Sequence, residues 1–494
     1  MNEWELLIGL GIIALGVRTA SWWLQSWQLR EYRFDRMLAN FRTYDGRINL
    51  LNFWAFPGLF PRPKLSGRVI IITGIFILLS IGIIVGLYEI FVNIENWRWG
   101  WNWAKALIIW ERTLWFTVPL AIKISALPVW LRKRSLFTKA GKIIAKGKNV
   151  TCIGITGSYG KSSTKKILVH LLRAKYGADA VLTNPGNENN EISIARLVHR
   201  NNRFFTDPTT GPKKKFFVCE MGAYKKGEIQ QICEFVKPHT GILTGLNAQH
   251  VVLFGNAEKL RAAKFELAES CSKTIFFNAD TPALVEIFED KEITATPIGI
   301  RKSVAENISS TITETKFHAY GKDFILPWAG EFFVGNALLA LEAAREVGCS
   351  PEELTSFLKE LSPLERALHI KELQNKATLL LDPYSANPDG VLGAISHLGK
   401  FKGTKIFIGI PLRELGKDSE KIHREVFEAL KNIDAHVFWF RHDYEKSAKE
   451  ICGEKFHGDN TKALKKLLKE LKKNDAILLE SRMSKNIENL FSTL

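Results

Sequence analysis

An α/β protein with a phosphate-binding glycine loop, preceded by an α-helical transmembrane region, is the fold class this sequence predicts. Three observations carry the prediction. They are the uncharged apolar run inside Val69–Val92, the strand, glycine-loop and helix pattern from residue 150 onward, and the basic residues massed beside the apolar segments. The chain has 494 residues, long enough for about three domains. Hydrophobic residues make up 46% and charged residues 24%, which supplies a core and excludes a disordered or low-complexity chain.

The run IIITGIFILLSIGIIVGLY carries no charge before Glu89. Roughly 20 such residues cross a hydrocarbon core of about 30 Å. Trp4–Leu29 is a second candidate span, interrupted by Arg18. Its leading residues Glu3 and Glu5 have the wrong sign for a cleaved signal peptide. Leu107–Leu131 is a third candidate that carries Glu111, Arg112 and Lys123, so it either spans or lies at the interface. The membrane region is therefore expected over residues 1–135, with two or three transmembrane helices.

The net charge of +17 invites a nucleic-acid reading, but its distribution argues against one. Residues 1–148 hold 20 basic and 8 acidic residues, and the remaining 346 are close to balanced for their size. A membrane surface, and no nucleic acid, is the expected partner of that excess. The stretches 30–68 and 132–148 are both basic, whereas Trp97, Trp99, Trp101 and Trp103 alternate in the connection between the second and third candidates. The positive-inside bias then places both basic stretches and everything after about residue 135 in the cytoplasm, as a multi-pass membrane protein. The six cysteines are scattered with no Cys-x-x-Cys pair, which reads as reduced, mostly buried thiols rather than a disulfide framework or zinc site.

VTCIGIT (Val150–Thr156) reads as a short buried strand. GSYGKSST follows, then a segment with helical spacing at Ile167, Leu168, Leu171 and Leu172. This is the context a phosphate loop requires. Gly157 and Gly160 let the backbone turn its N–H groups inward, and the following helix N-terminus adds partial positive charge. Lys161 can reach terminal phosphates, and the Ser162 hydroxyl can ligate Mg²⁺. Gly157, Ser158, Tyr159, Gly160, Lys161, Ser162 and Ser163 are the candidate ATP contacts.

On GITGSYGKSSTKK the sequence resembles the Mur ligase family, and most closely its MurF-type branch. The resemblance continues through LTNPGNENNEISIARL, then through VCEMGAYKKGEIQQICEFVKPHTGILTGLNAQHVVLFGNAEKLRAAKFELAE. GEFFVGNALLALEAAREVG, SPLERALHI and LDPYSANPDG then follow in the family's order. It covers residues 145–494 and implies a central ATP-binding domain over 145–362, with a P-loop-type ATPase fold. It also implies a Rossmann-like C-terminal domain over 363–494. The implied activity is ATP-dependent amide-bond formation in peptidoglycan precursor synthesis, through an acyl phosphate, with ATP and Mg²⁺.

The resemblance also assigns roles. Glu220, at the end of FFVCE, would hold Mg²⁺, with Ser162, His250 and Lys264 completing the metal set. Lys264 matches a lysine that family members often carry as a carbamate, an anionic ligand. Lys161, Glu220, His250 and Lys264 are thus the catalytic candidates. Asn336 matches the adenine-reading asparagine, Arg366 an inter-domain arginine at the nucleotide, and Asp382 an aspartate at the ribose. Asn187, Asn189 and Asn190 are candidates for the carboxylate substrate, and Asn387 shapes the loop after Asp382. Ser481 and Arg482 keep part of a Lys-Gly-Ser-Arg motif, with Leu479 where the lysine would stand.

Departures matter as well. Phe332 and Phe333 stand where the family commonly has His-Asn. RNNRFFTDPTTGPKKK (200–215) looks like an extended basic loop. The family's N-terminal uridine-nucleotide domain is replaced by membrane segments, which suits a muramoyl-peptide acceptor that is lipid-linked. The amine would be D-alanyl-D-alanine or another amino acid or dipeptide. Two other readings stay open: a nucleotide-binding membrane subunit of an amidating complex, and an inactive scaffold.

Overall fold

In the computed structural model the described residues are 3–30, 32–42, 62–95, 99–186, 188–207, 213–247, 254, 256–291, 293–300, 304–311, 313–362, 369–382, 387–412, 415, 418–480, 487 and 489–491. The chain divides into two compact units, Met1–Leu136 and Phe137–Leu494.

Three helices dominate the first unit. Glu3–Leu29 and Gly67–Glu95 fall where the apolar runs predict them, and Trp99–Ala145 covers the third candidate. Each contains a stretch long and apolar enough to cross a membrane: Leu6–Leu29, Gly67–Asn93 and Asn102–Ala145. Trp27, Ile72, Leu114 and Val118 are buried among them. Gly16 is needed at one crossing, because a Cβ there would lie 2.4 Å from the Trp110 ring. The third helix is one continuous element of 47 residues, despite Pro119 and Pro128. Its charged Glu111 is buried, accepts a hydrogen bond from the Thr19 hydroxyl at 3.4 Å and lies 3.5 Å from Arg112. That pairing is the physical reason an acidic residue is tolerated in so apolar a helix.

The second unit is built on two six-stranded sheets. The first has the order β2-β3-β1-β4-β5-β6 and is parallel throughout. Its strands are β1 (Val150–Thr156), β2 (Val181–Thr183), β3 (Lys215–Glu220), β4 (Thr240–Leu243), β5 (Thr274–Asn278) and β6 (Thr296–Ile298). β3 is buried along its length and apolar between Lys215 and Glu220, and β1 is buried except at Thr151, as expected of parallel strands covered on both faces. The helix Lys161–Tyr176 buries Ile167, Leu168, Leu171 and Leu172 in one core with Leu338, Leu341 and Ala344 of the helix Phe332–Glu346. A small antiparallel sheet, β7 (Glu306–Ser310), β8 (Thr315–Ala319) and β9 (Lys322–Leu326), adds Phe317 and Phe324 to that core.

The second large sheet has the order β10-β11-β15-β12-β13-β14. It comprises β10 (His369–Glu372), β11 (Thr378–Asp382), β12 (Lys405–Gly409), β13 (His436–Trp439), β14 (Phe456–Gly458) and β15 (Ala476–Glu480). Only β10 runs antiparallel to its neighbour. The last strand, β15, inserts between β11 and β12 and sets Asp382 level with Glu480.

One expectation is corrected here. The stretch read as an extended basic loop at 200–215 contains the helix Asn202–Thr206 and the first residue of β3, Lys215. Phe205 is buried against Phe217, and the Lys215 ammonium donates to the carbonyls of Phe204 and Asp207. The aromatic pair, invisible to a reading based on charge, anchors the short helix on β3.

Candidate active site

The site grows from the C-terminal edge of the first sheet. The register pairs Ile155 with Glu220, so the glycine loop that leaves β1 and the carboxylate that ends β3 emerge side by side. The backbone turns at Gly157 and Gly160, both at positive φ. A Cβ on Gly157 would meet the Thr244 hydroxyl, and one on Gly160 would meet Asn336 Oδ1, each at 2.3 Å. Glycine is required at both positions by conformation and by space. The loop is further pinned from β4's end: Ser158 N–H donates to the Gly245 carbonyl at 2.7 Å, and the Thr244 hydroxyl donates to the Tyr159 carbonyl. Tyr159 lays its ring on Gly245, and its hydroxyl shares a hydrogen bond with Thr281.

Glu220 is 1% exposed and fully engaged. Its Oε2 accepts from the Ser162 hydroxyl at 3.0 Å and pairs with the Lys165 ammonium at 3.0 Å. Its Oε1 accepts from the Asn189 amide at 2.9 Å. Burial is the largest influence and opposes its charge. Lys165 and Lys161, with hydrogen bonds from Asn189 and Lys165, outweigh burial and hold its carboxyl below the usual range. Lys161 donates back to the carbonyls of Gly157 and Ser158 at 2.7 and 3.1 Å. Burial pushes its ammonium down, and Glu220 partly restores it.

Lys264 lies on the helix Ala257–Ser270 and is 3% exposed. It donates to the Ala223 carbonyl at 3.2 Å. Burial, then repulsion from Lys161, lower its pKa to about 7 despite Glu228 and Glu266. A lysine of that kind is a substantially neutral amine near pH 7.

Asn336 is buried on the helix Phe332–Glu346, with its side-chain oxygen against Gly160. Asp382 is buried at the end of β11. Asn387 caps the helix Pro388–Leu398 by accepting from Gly390 N–H, and it also accepts from Asn247 at 3.3 Å. Asn247 in turn donates to Asp389 at 2.8 Å, joining the loop after β4 to the second sheet's first helix. Asn189 spends its amide on Glu220, and Asn190 caps the helix Glu191–Arg200 by accepting from Ser193 N–H. Ser163 is half-buried on the first turn after the glycine loop. Asn187, His250, Arg366, Ser481 and Arg482 lie outside the described residues.

Three contributors escaped sequence reading. Lys165 forms the ion pair with Glu220 and also donates to the carbonyls of Asn184 and Gly186. Its signal was present, one helical turn after Lys161 in GKSSTKK. Asn184 clamps the Glu220 backbone from both sides, accepting from its N–H and donating to its carbonyl. Thr244 follows β4 with nothing in sequence to mark it.

Hard oxygen donors at Ser162 and Glu220 suit Mg²⁺, and Lys264 suits it only once converted to an anion. Among the described residues no group of three or more His, Cys, Asp or Glu side chains converges for a metal.

Residues 155–344 match the Mur ligase middle domain, and residues 366–482 match the Mur ligase, glutamate ligase domain. Proteins built on these two domains are ATP-dependent ligases that form carbon–nitrogen bonds. The chain belongs to the Mur ligase family. It is 28% identical over 349 residues to the UDP-N-acetylmuramoyl-tripeptide–D-alanyl-D-alanine ligase of Haemophilus influenzae, covering 67% of this chain and 71% of that one. The enzyme of the same name from Mycobacterium bovis is 26% identical over 317 residues, covering 60% of this chain and 58% of its own length. A crystal structure of MurF from Acinetobacter baumannii superposes with a TM-score of 0.64 at 22% identity, covering 73% of this chain and 80% of that one.

Proposed function

We propose that this chain is a membrane-anchored ligase of peptidoglycan precursor synthesis. In this reading it joins D-alanyl-D-alanine, or a similar amine, to the carboxylate of a muramoyl peptide that is lipid-linked. The observation that carries the reading is the convergence of Ser162 and Lys165 on the buried carboxylate of Glu220, beside Lys161 at the mouth of a glycine loop. Residues 1–135 are read as a multi-pass membrane region, with the catalytic domains cytoplasmic. Residues 145–362 are read as a P-loop-type ATPase domain and residues 363–494 as a Rossmann-like domain. The relatives' names supply the acceptor and amine classes, and the three apolar helices supply the reason to prefer a lipid-linked acceptor.

The reaction has two steps. A substrate carboxylate oxygen attacks the γ-phosphorus of ATP, releasing ADP and leaving an acyl phosphate. The amine nitrogen then attacks the acyl carbon, phosphate departs with the C–O bond electrons, and the amine proton passes to solvent. Crowding two anions is the main barrier, so positioning and charge neutralisation do most of the work. Lys161, released from its own loop's carbonyls, would turn to the terminal phosphates. Backbone N–H groups of Tyr159 to Ser163 would cradle the phosphates, that of Ser158 being held by the Gly245 carbonyl. Asn336 would face the adenine, and Asp382 the ribose. Mg²⁺, held by Ser162, Glu220, His250 and a carbamylated Lys264, would neutralise phosphate charge. Asn187, Asn189, Asn190, Asn387, Ser481 and Arg482 are assigned to the substrates.

The test is product analysis by mass spectrometry. Native membranes containing the chain receive ATP, Mg²⁺ and a panel of amino acids and dipeptides, with lipid-linked or soluble UDP-linked acceptors. An amide product that requires ATP, prefers the lipid-linked acceptor and vanishes with Lys161→Ala is expected. Wild-type rates from Lys161→Ala would overturn the site, and a strong preference for the soluble acceptor would overturn the lipid-linked assignment.

A further inference from the structure

The helix Thr461–Glu470, near the end of the second unit, is two-sided. It starts at Asn460, whose side chain accepts from Ala463 N–H. Leu464 and Leu468 are buried with Ile406, Phe438 and Ile477 of the sheet, and Leu471 closes the helix on the same side. Lys462, Lys465, Lys466 and Lys469 are all exposed, and Lys472 and Lys473 continue the stripe beyond the helix end. Within the helix Lys462, Lys465, Lys466 and Lys469 stand three and four residues apart, so these four lie on one face at 3.6 residues per turn.

No ion pair engages any of these six lysines among the described residues, although Glu470 lies on the same helix. The helices packed on the other face of the same sheet are different. Arg424 pairs with Glu450, Lys449 with Glu445 and Lys455 with Asp434, at 2.8 to 3.0 Å. Solvation alone is met there by mixed charge. The lysine stripe is locally unfavourable, because like charges three and four residues apart repel and Lys462 faces the positive end of the helix dipole. A surface that carries such a cost in one sign of charge is complementary to an extended surface of the other sign.

We propose that this stripe docks on the anionic phospholipid headgroups of the membrane that the apolar helices enter. The inference rests on the membrane reading above and is independent of the ligase chemistry. Each lysine near an anionic bilayer strengthens attraction roughly fivefold, and the attraction decays within a Debye length. The membrane helices hold the stripe at high effective concentration near the bilayer, so weak individual contacts suffice.

The test uses the full chain in lipid nanodiscs. Glu470→Cys is labelled with a donor dye, and a trace of headgroup-labelled lipid serves as acceptor. Discs are either pure phosphatidylcholine or phosphatidylcholine mixed with phosphatidylglycerol. Energy transfer is expected to rise at least roughly twofold in the anionic discs and to collapse in high salt. It should also be lost when Lys462, Lys465, Lys466 and Lys469 are all changed to glutamine, and retained when they are changed to arginine. Equal transfer in both discs overturns the proposal, as does a glutamine variant that behaves like the parent. A response to added oligonucleotide with none to anionic lipid assigns the stripe to nucleic acid and overturns it too. A chain that fails to enter discs removes the membrane reading and this inference together, while leaving product formation in solution to be judged separately.

Discussion

The Ser162 hydroxyl donates to Glu220 Oε2 at 3.0 Å, although the two residues stand 58 positions apart in the chain. The parallel register of β1 and β3 brings them together, and the same oxygen is shared with Lys165. Glu220 neutralises a buried ammonium, and the proposed function gives it a second, separable job of offering oxygen to a metal at Ser162.

Glu220→Gln separates those jobs. Product formation should fall by roughly 10²-fold or more, the scale of losing one preorganised electrostatic group. Thermal stability should fall as well, because Lys165 loses its counter-charge in a buried position, which costs about 3–5 kcal/mol. Combining Glu220→Gln with Lys165→Met should restore the melting temperature but not the activity. Calorimetry and a product assay on the same samples check both halves.

Lys264 gives a pH signature. Its folded pKa of about 7 lies below the ordinary lysine value, so the unfolded chain binds the extra proton between about pH 7 and 10.5. Stability from this group is therefore lowest below pH 7 and rises as pH climbs through that window. The neutral amine, the form that can add carbon dioxide, goes from about one tenth at pH 6 to about nine tenths at pH 8. Labelled bicarbonate should give a carbamate carbon signal by NMR that grows over this range and is absent in Lys264→Ala. Activity should follow the signal, and its absence at pH 8 would remove Lys264 from the metal set.

The reach of the sequence into this site followed the range of the contacts involved. β1, the glycine loop and the helix from Lys161 are consecutive, so their pattern was complete in a short stretch, and the burial of Ile167, Leu168, Leu171 and Leu172 agrees with it. Glu220 was readable because it ends an apolar run. Lys165, Asn184 and Thr244 were not picked out, since each acts through a partner set by sheet register rather than by spacing. The helix at 202–206 was hidden because its anchor, Phe205 on Phe217, is an aromatic contact within a stretch dominated by charge.

Gly160 carries a prediction about nucleotide affinity. It sits at φ 79°, and an added methyl would lie 2.3 Å from Asn336 Oδ1. Left-handed backbone costs a non-glycine residue about 1–2 kcal/mol. The collision would also displace the asparagine proposed to face adenine. Gly160→Ala should weaken binding of a non-hydrolysable ATP analogue by roughly tenfold or more, read by titration calorimetry. Gly177→Ala, at φ 94° with open space around it, is the control. It should lower the melting temperature while leaving nucleotide affinity unchanged. Equal losses of affinity in both variants would mean that the glycine loop is not the nucleotide's cradle.

Glu480 tests the second sheet. It is 1% exposed at the end of β15, neither of its carboxyl oxygens has a hydrogen-bond partner among the described residues, and Asp382 stands level with it on β11. Burial, reinforced by Asp382, raises its pKa well above the ordinary value. The folded chain therefore keeps a proton that the unfolded chain releases above about pH 4.5, and stability falls as pH rises from there toward the raised value. Glu480→Met should remove that slope. The variant should match the parent near pH 4 and melt several degrees higher at pH 8, because an apolar side chain of similar length replaces a buried acid. Melting temperatures taken from pH 4 to 8 decide it. A variant that is less stable at pH 8 would mean that Glu480 is held ionised by a partner, and a loss of activity without loss of stability would tie this carboxyl to the substrates bound at the sheet's edge.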